Sequence, residues 1–139
     1  MLRVILAVVA GVILAFAITF GTELLWQQLA PMPAGSNMSD PAAVAAFIET
    51  APLTAMLTVL FGWTLAIFAG TFTAARLGRR GEWPGWVVLA LFLAATGANF
   101  FMLPHPVWFV VAAVVLIAVS GLLGSRLGAG RHVRAPAAV

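Results

Sequence analysis

The chain has 139 residues, of which 63% are hydrophobic and 8% charged, with a mean hydropathy of +1.11; so few charges cannot cover so much apolar surface in water, which excludes a soluble globule and makes lipid the solvent. All seven basic residues are arginine and the net charge is +3, a balance that in a soluble protein raises nucleic acid as a partner. Here the arginines fall in short segments between apolar runs, where they set topology and meet lipid head groups instead, and the lack of cysteine removes disulfides, thiolate metal sites and a cysteine nucleophile.

Crossing about 30 Å of hydrocarbon at about 1.5 Å per residue takes about 20 residues. Four apolar runs meet that length, so the expected fold is all-α: one domain, 1–139, built as an integral membrane bundle of four transmembrane helices. The first run covers about 2–29. Its opening, with Arg3, an apolar core and Ala15-Phe16-Ala17 as a small-residue cleavage site, has the pattern of a secretory signal; the expectation here is a retained first span. Ala7, Gly11, Ala15 and Thr19 recur along it at every fourth residue. Glu23 follows four residues later, on the same packing face and about one turn before Trp26, which places it near the outer interface.

The run stops at Pro31-Met32-Pro33 and opens the outer loop, 30–51, the longest polar segment. Within it Asp40 offers an N-cap and Pro41 a first-turn proline for a short helix over 42–49. The second run, about 52–77, carries the fullest stripe of small residues: Thr54, Thr58, Gly62, Ala66, Gly70, Ala74 and Gly78. Lipid tails are as apolar as leucine, so helices in a bilayer associate by close backbone approach and polar contacts. Spans one and two are therefore expected to cross closely through Gly11, Ala15, Gly62, Ala66, Gly70 and Ala74, within one chain or, alternatively, between two copies. Against this stands the ordinary abundance of glycine and alanine in membrane helices.

The third run covers about 83–103 and the fourth about 106–127, followed by a tail, 128–139. The fourth ends in small residues, Gly121, Gly124 and Gly128. Between the two lies NFFMLPHPVW. Pro104 and Pro106 lack a backbone N–H and disfavour helix in the residue before each, so they break one span and launch the next. His105 then reads as a turn residue that bonds a neighbour or water, with a pH-responsive partnership with Glu23 as the sharper alternative. As a metal ligand it lacks a second histidine, His132 falling on the opposite face. Asn99, about one turn before Pro104, reads as an interhelical hydrogen-bonding group first and a substrate contact second. Together Glu23, Asn99 and His105 form a candidate polar cluster on the outer side, because polar groups within spans are costly and functional by default.

Orientation follows from the arginines. Arg3 precedes span one, Arg76, Arg79 and Arg80 separate spans two and three, and Arg126, Arg131 and Arg134 follow span four, while the Pro-rich loop and the PHP turn carry none. Both termini are thus expected in the cytoplasm. Glu23, Asp40 and Glu49 then fall outside and only Glu82 inside. Trp26 and Trp108 mark the outer head-group level and Trp83 and Trp86 the inner one, leaving Trp63 alone in mid-span. Catalytic and cofactor signatures are missing: there is no Gly-rich phosphate loop, no HExxH, no paired carboxylates and no GxSxG, and Ser36 and Ser39 have no nearby base. No enzyme, cofactor or metal is expected.

Three features, the PMP segment, the stripe GWTLAIFAG of span two and the asparagine followed by PHPVW, give a chain that resembles a family of small, largely uncharacterised four-helix bacterial inner-membrane proteins. The resemblance covers nearly the whole chain and implies an architecture and no established activity. The function expected is a non-enzymatic membrane protein acting by helix packing, as a small structural or accessory subunit of a membrane complex or as a homo-oligomer. The alternative is a small proton-coupled transporter, a homodimer similar in size to the small multidrug-resistance exporters, with Glu23 as coupling carboxylate; those carry their glutamate nearer mid-membrane and have shorter loops. A third reading is an accessory subunit of an energy-converting complex whose aromatic side chains line a lipid or quinone contact.

Overall fold

The structure, a computed structural model, describes residues 1–31, 34–35 and 39–130. Met32 and Pro33 of the PMP segment, Ser36, and Arg131, His132 and Arg134 of the tail lie outside the described residues. Among the described residues five helices follow one another: α1 (Leu2–Leu29), α2 (Pro41–Thr50), α3 (Leu53–Gly78), α4 (Trp83–Met102) and α5 (Val107–Ala129). Four of them, all but α2, are long and apolar enough to cross a membrane. The chain is a multi-pass membrane protein of helical-bundle type, with span limits within two residues of those expected from composition.

Capping follows local chemistry. Asp40 accepts a hydrogen bond from the Ala42 N–H at 3.0 Å and caps α2, with Pro41 in the first turn. Pro52 and Pro106 stand at the N-caps of α3 and α5 in extended conformation, where a missing N–H costs nothing. The α3 terminus is less ordinary. Arg79 adopts the left-handed conformation (φ 52°, ψ 36°) at a position where glycine is usual, because a β-carbon there crowds the carbonyl.

Helix α3 is the axis of the bundle. Half of its span is buried, against 22% for α1 and α4 and 28% for α5, and it packs against α1, α4 and α5, while the backbones of α1 and α5 do not approach each other closely. Its small residues explain how three helices reach it. Along the α1–α3 seam Ala7 meets Gly78, Gly11 meets Gly70 and Ala74, and Ala15 meets Gly70. A β-carbon added to Gly11 would lie 2.5 Å from the Gly70 carbonyl oxygen, and one on Gly70 would lie 2.8 Å from the Gly11 oxygen. The two backbones are in contact. Gly11, Ala15, Gly62, Ala66, Gly70 and Ala74 are all buried here, while Thr54, at the start of the same stripe, is exposed. The seam uses the first half of α1, so cleavage after Ala17 would remove Ala7, Gly11 and Ala15 from it.

On the other side α5 runs parallel to α3 and closes with Gly124 against the Phe68 carbonyl and Gly128 against the Phe72 backbone. Gly85 of α4 faces the Thr71 carbonyl and Ser125, and Gly121 faces Leu89. Hydroxyls inside this packing bond within their own helix: Thr71 donates to Ile67 O at 2.8 Å and Ser125 to Gly121 O at 2.8 Å, which satisfies them without water. The outward faces carry long apolar side chains such as Ile13, Phe16, Phe61, Leu91 and Val111. The up-down order collects Arg3, Arg76, Arg79, Arg80 and Arg126 at one end of the bundle and the His105 turn at the other, named below the arginine end and the His105 end.

Gly70→Val should weaken the fold by about 1–3 kcal/mol, the range for overpacking, read as a lower midpoint when the protein in mild micelles is titrated with dodecyl sulfate. Gly97, which has nothing within 4 Å of an added β-carbon, is the matched contrast. Gly97→Ala should leave the midpoint unchanged or raise stability by up to about 1 kcal/mol.

Candidate functional site: a polar cluster in an aromatic cavity

The packing that positions Glu23 is the upper end of the α1–α3 seam, where Thr22 lies directly against Gly62. That contact sets Glu23 level with Trp63, ten residues along α3 from Leu53 or about 15 Å. The carboxylate placed near the interface by its distance from Trp26 thus shares a level with the one tryptophan assigned to mid-span. Trp63 itself is buried, and its ring packs on Phe109 at 5.8 Å and Phe100 at 6.1 Å.

The His105 turn completes the aromatic wall. Helix α4 ends at Met102, with the Leu103 N–H bonded to Asn99 O at 2.9 Å. His105 then folds back so that Nδ1 donates to Leu103 O at 2.8 Å. In the neutral ring this leaves Nε2 as an acceptor. The imidazole stacks on Phe109 at 5.4 Å and meets the edge of Phe100 at 5.2 Å, so the rings of Trp63, Phe100, His105 and Phe109 form one continuous surface. Opposite them stands α2. Its backbone stays clear of the spans, and side chains hold it, with Phe47 edge-on to Trp26 at 6.1 Å and Ile48 buried.

Between these elements lies a cavity of about 560 Å³, bordered by Glu23, Trp26, Phe47, Trp63, Asn99, His105 and Phe109 among others. A second cavity, of about 350 Å³, runs between α1 and α4 and is bordered by Phe16, Thr19, Leu91 and Phe92. Glu23, Trp63 and Asn99 border both. The same polar groups thus border two spaces: one towards the His105 end beneath α2, the other on the lipid-facing side between α1 and α4, where Phe16 and Leu91 are largely exposed.

Hydrogen bonding singles out the same place. Among the described residues three buried side-chain polar atoms have no partner: Thr19 Oγ1, Trp63 Nε1 and Asn99 Oδ1. Each such atom costs about 1–3 kcal/mol and asks for an explanation. All three border the lateral cavity, and Trp63 and Asn99 border the other as well. The Trp63 indole lies beside the Glu23 carboxylate without closing a hydrogen bond. Glu23 has no cationic partner, the ion pair among the described residues being Arg126 with Glu82 at 3.9 Å at the arginine end.

Of the candidates drawn from the sequence, Glu23, Asn99 and His105 border one cavity, yet no hydrogen bond joins any two of them. Thr19, Trp63, Phe100 and Phe109 complete the site and were not singled out for it. Trp63 had a signal in the sequence, as the tryptophan outside both head-group belts; the two phenylalanines had none, being indistinguishable from lipid-facing ones. Comparison with protein-family models, with curated proteins and with solved structures returns no match, so the reading of the site rests on its geometry.

Because the Asn99 oxygen is buried without a partner, Asn99→Leu should keep or raise the thermal stability of the protein in detergent, by up to about 2 kcal/mol. A loss larger than about 1 kcal/mol would mean that the amide has a structural partner in the folded protein.

Proposed function

We propose that this protein is a non-enzymatic multi-pass protein of a bacterial inner membrane, with both termini cytoplasmic, and that it holds an amphipathic amine in the aromatic cavity at the His105 end. One observation carries the reading: every partnerless buried polar atom among the described residues borders one or both of two cavities that share Glu23, a carboxylate with no ion-pair partner among those residues. Asn99 Oδ1, Glu23 and His105 Nε2 are acceptors, Thr19 Oγ1 accepts as well as donates, and the one pure donor, the Trp63 indole N–H, lies beside the Glu23 carboxylate, so the set suits a head rich in donors. Aromatic faces favour a cation above them, and the lateral groove suits an apolar tail. The glycine seams bear on the packing role expected from the sequence. They are consumed inside the monomer, so an accessory place in a larger complex or a homo-oligomer would have to use the long apolar outer faces or α2.

Dodecylamine should raise the melting temperature of the protein in neutral nanodiscs, while dodecanol and dodecyl sulfate at the same mole fraction do so less or not at all. Glu23→Gln should weaken the amine effect about tenfold, as expected for losing a charged hydrogen bond. Equal stabilisation by dodecanol would show that charge is not read.

A second reading, the proton-coupled homodimeric transporter with Glu23 as coupling group, draws support from the way Glu23 borders both the lateral and the end-facing cavity. It would require the backbone contacts of the arginine half to open. In proteoliposomes it predicts amine flux driven by a proton gradient and abolished in Glu23→Gln; gradient-independent binding without flux rules it out.

A further inference from the structure

At the arginine end a cavity of about 390 Å³ is bordered by Arg3, Arg76 and Arg79 together with Ala75, Leu77, Gly128 and Ala129. Three helix ends converge there: the start of α1 and the ends of α3 and α5. Arg3 Nε donates to Leu77 O at 2.9 Å, which anchors its guanidinium at the rim and leaves the two terminal amino groups for another partner. Arg76 reaches across to α5, with Nη1 beside Gly130. Among the described residues none of the three is ion-paired, and after residue 50 the sequence contains a single carboxylate side chain, Glu82, which faces Arg126.

Helix dipoles alone do not account for this much positive charge. Two helix C-termini carry about −0.5 each and one N-terminus about +0.5, so three guanidiniums leave a net of more than two positive charges around one small cavity. Arg79 also holds a left-handed backbone conformation that glycine would adopt without crowding. Arginine at that position is disfavoured for the helix end itself, and its side chain borders the cavity.

From this convergence we infer that the cavity binds a phosphate group, that of an anionic phospholipid head, between the guanidiniums of Arg3, Arg76 and Arg79. Arginine forks match phosphate oxygens in pairs, and the site sits at the end of the spans, where a lipid phosphate lies. The inference is independent of the amine cavity at the other end.

The full chain in neutral phosphatidylcholine nanodiscs, titrated with phosphatidylglycerol, should melt at progressively higher temperature. Arg76→Gln and Arg79→Gly should each shift the half-effective phosphatidylglycerol fraction upward about tenfold, the loss expected for one charge-assisted hydrogen bond, while Arg80→Gln, whose residue does not border the cavity, should not. Arg79→Gly relieves the backbone, so its melting temperature before any phosphatidylglycerol is added should be equal to or above that of the unmodified protein, which separates loss of binding from loss of fold. Stabilisation by inorganic phosphate at millimolar concentration, lost in the same two variants, would support the phosphate site and assign it to a soluble phosphate compound instead. Equal phosphatidylglycerol responses in Arg76→Gln, Arg79→Gly, Arg80→Gln and the unmodified protein would overturn the proposal.

Discussion

The backbone contact between Gly11 of α1 and Gly70 of α3 is the constraint on which the rest of the architecture depends. In lipid no hydrophobic force draws helices together, so the bundle holds where backbones come close enough for dense van der Waals contact. Around α3 that condition is met on several sides, by Gly11, Gly85, Gly124 and Gly128. All of these contacts lie in the half of the bundle nearer the arginines. There the helices are shut against one another by their smallest residues.

Towards the His105 end the residues between the helices change character. Trp63, Phe100, Phe109, Met56 and Val59 replace glycine and alanine, and rings of that size hold the spans apart while leaving space between them. The same sequence gradient that closes one half of the bundle therefore opens the other. The polar groups sit at the transition, where α1 is still pinned to α3 by Thr22 and Gly62 but no longer fills the gap to α4. Thr71 and Ser125 in the closed half, and Thr22 and Thr64 nearer the transition, each donate to a carbonyl of their own helix, whereas Thr19 Oγ1 has no partner and the Asn99 Oδ1 acceptor meets no donor.

The charges are arranged along the same axis. Five described arginines gather at the closed end with one carboxylate, and the open end has Glu23, Asp40 and Glu49 with no arginine. An acceptor-rich, aromatic cavity and a cavity ringed by guanidiniums thus occupy opposite ends of one small protein, separated by the glycine-packed half.

Composition and run length alone determined the number of spans, their limits to within two residues, and the gathering of arginine at one end, because each depends on a local quantity: hydrocarbon thickness divided by helical rise, and the place where charge is tolerated. The capping of α2 by Asp40 was equally local. Tertiary structure decided which helix is central, since the stripe of α3 shows only that something approaches it and not that α1, α4 and α5 all do. It also decided the neighbours of Glu23. Distance from Trp26 along α1 placed the carboxylate near an interface, whereas the register of Thr22 against Gly62 set it beside Trp63, and register between two helices is a property of neither sequence segment alone. The partnerless atoms of Thr19, Trp63 and Asn99 were invisible for the same reason: a polar atom lacks a partner only with respect to everything packed around it.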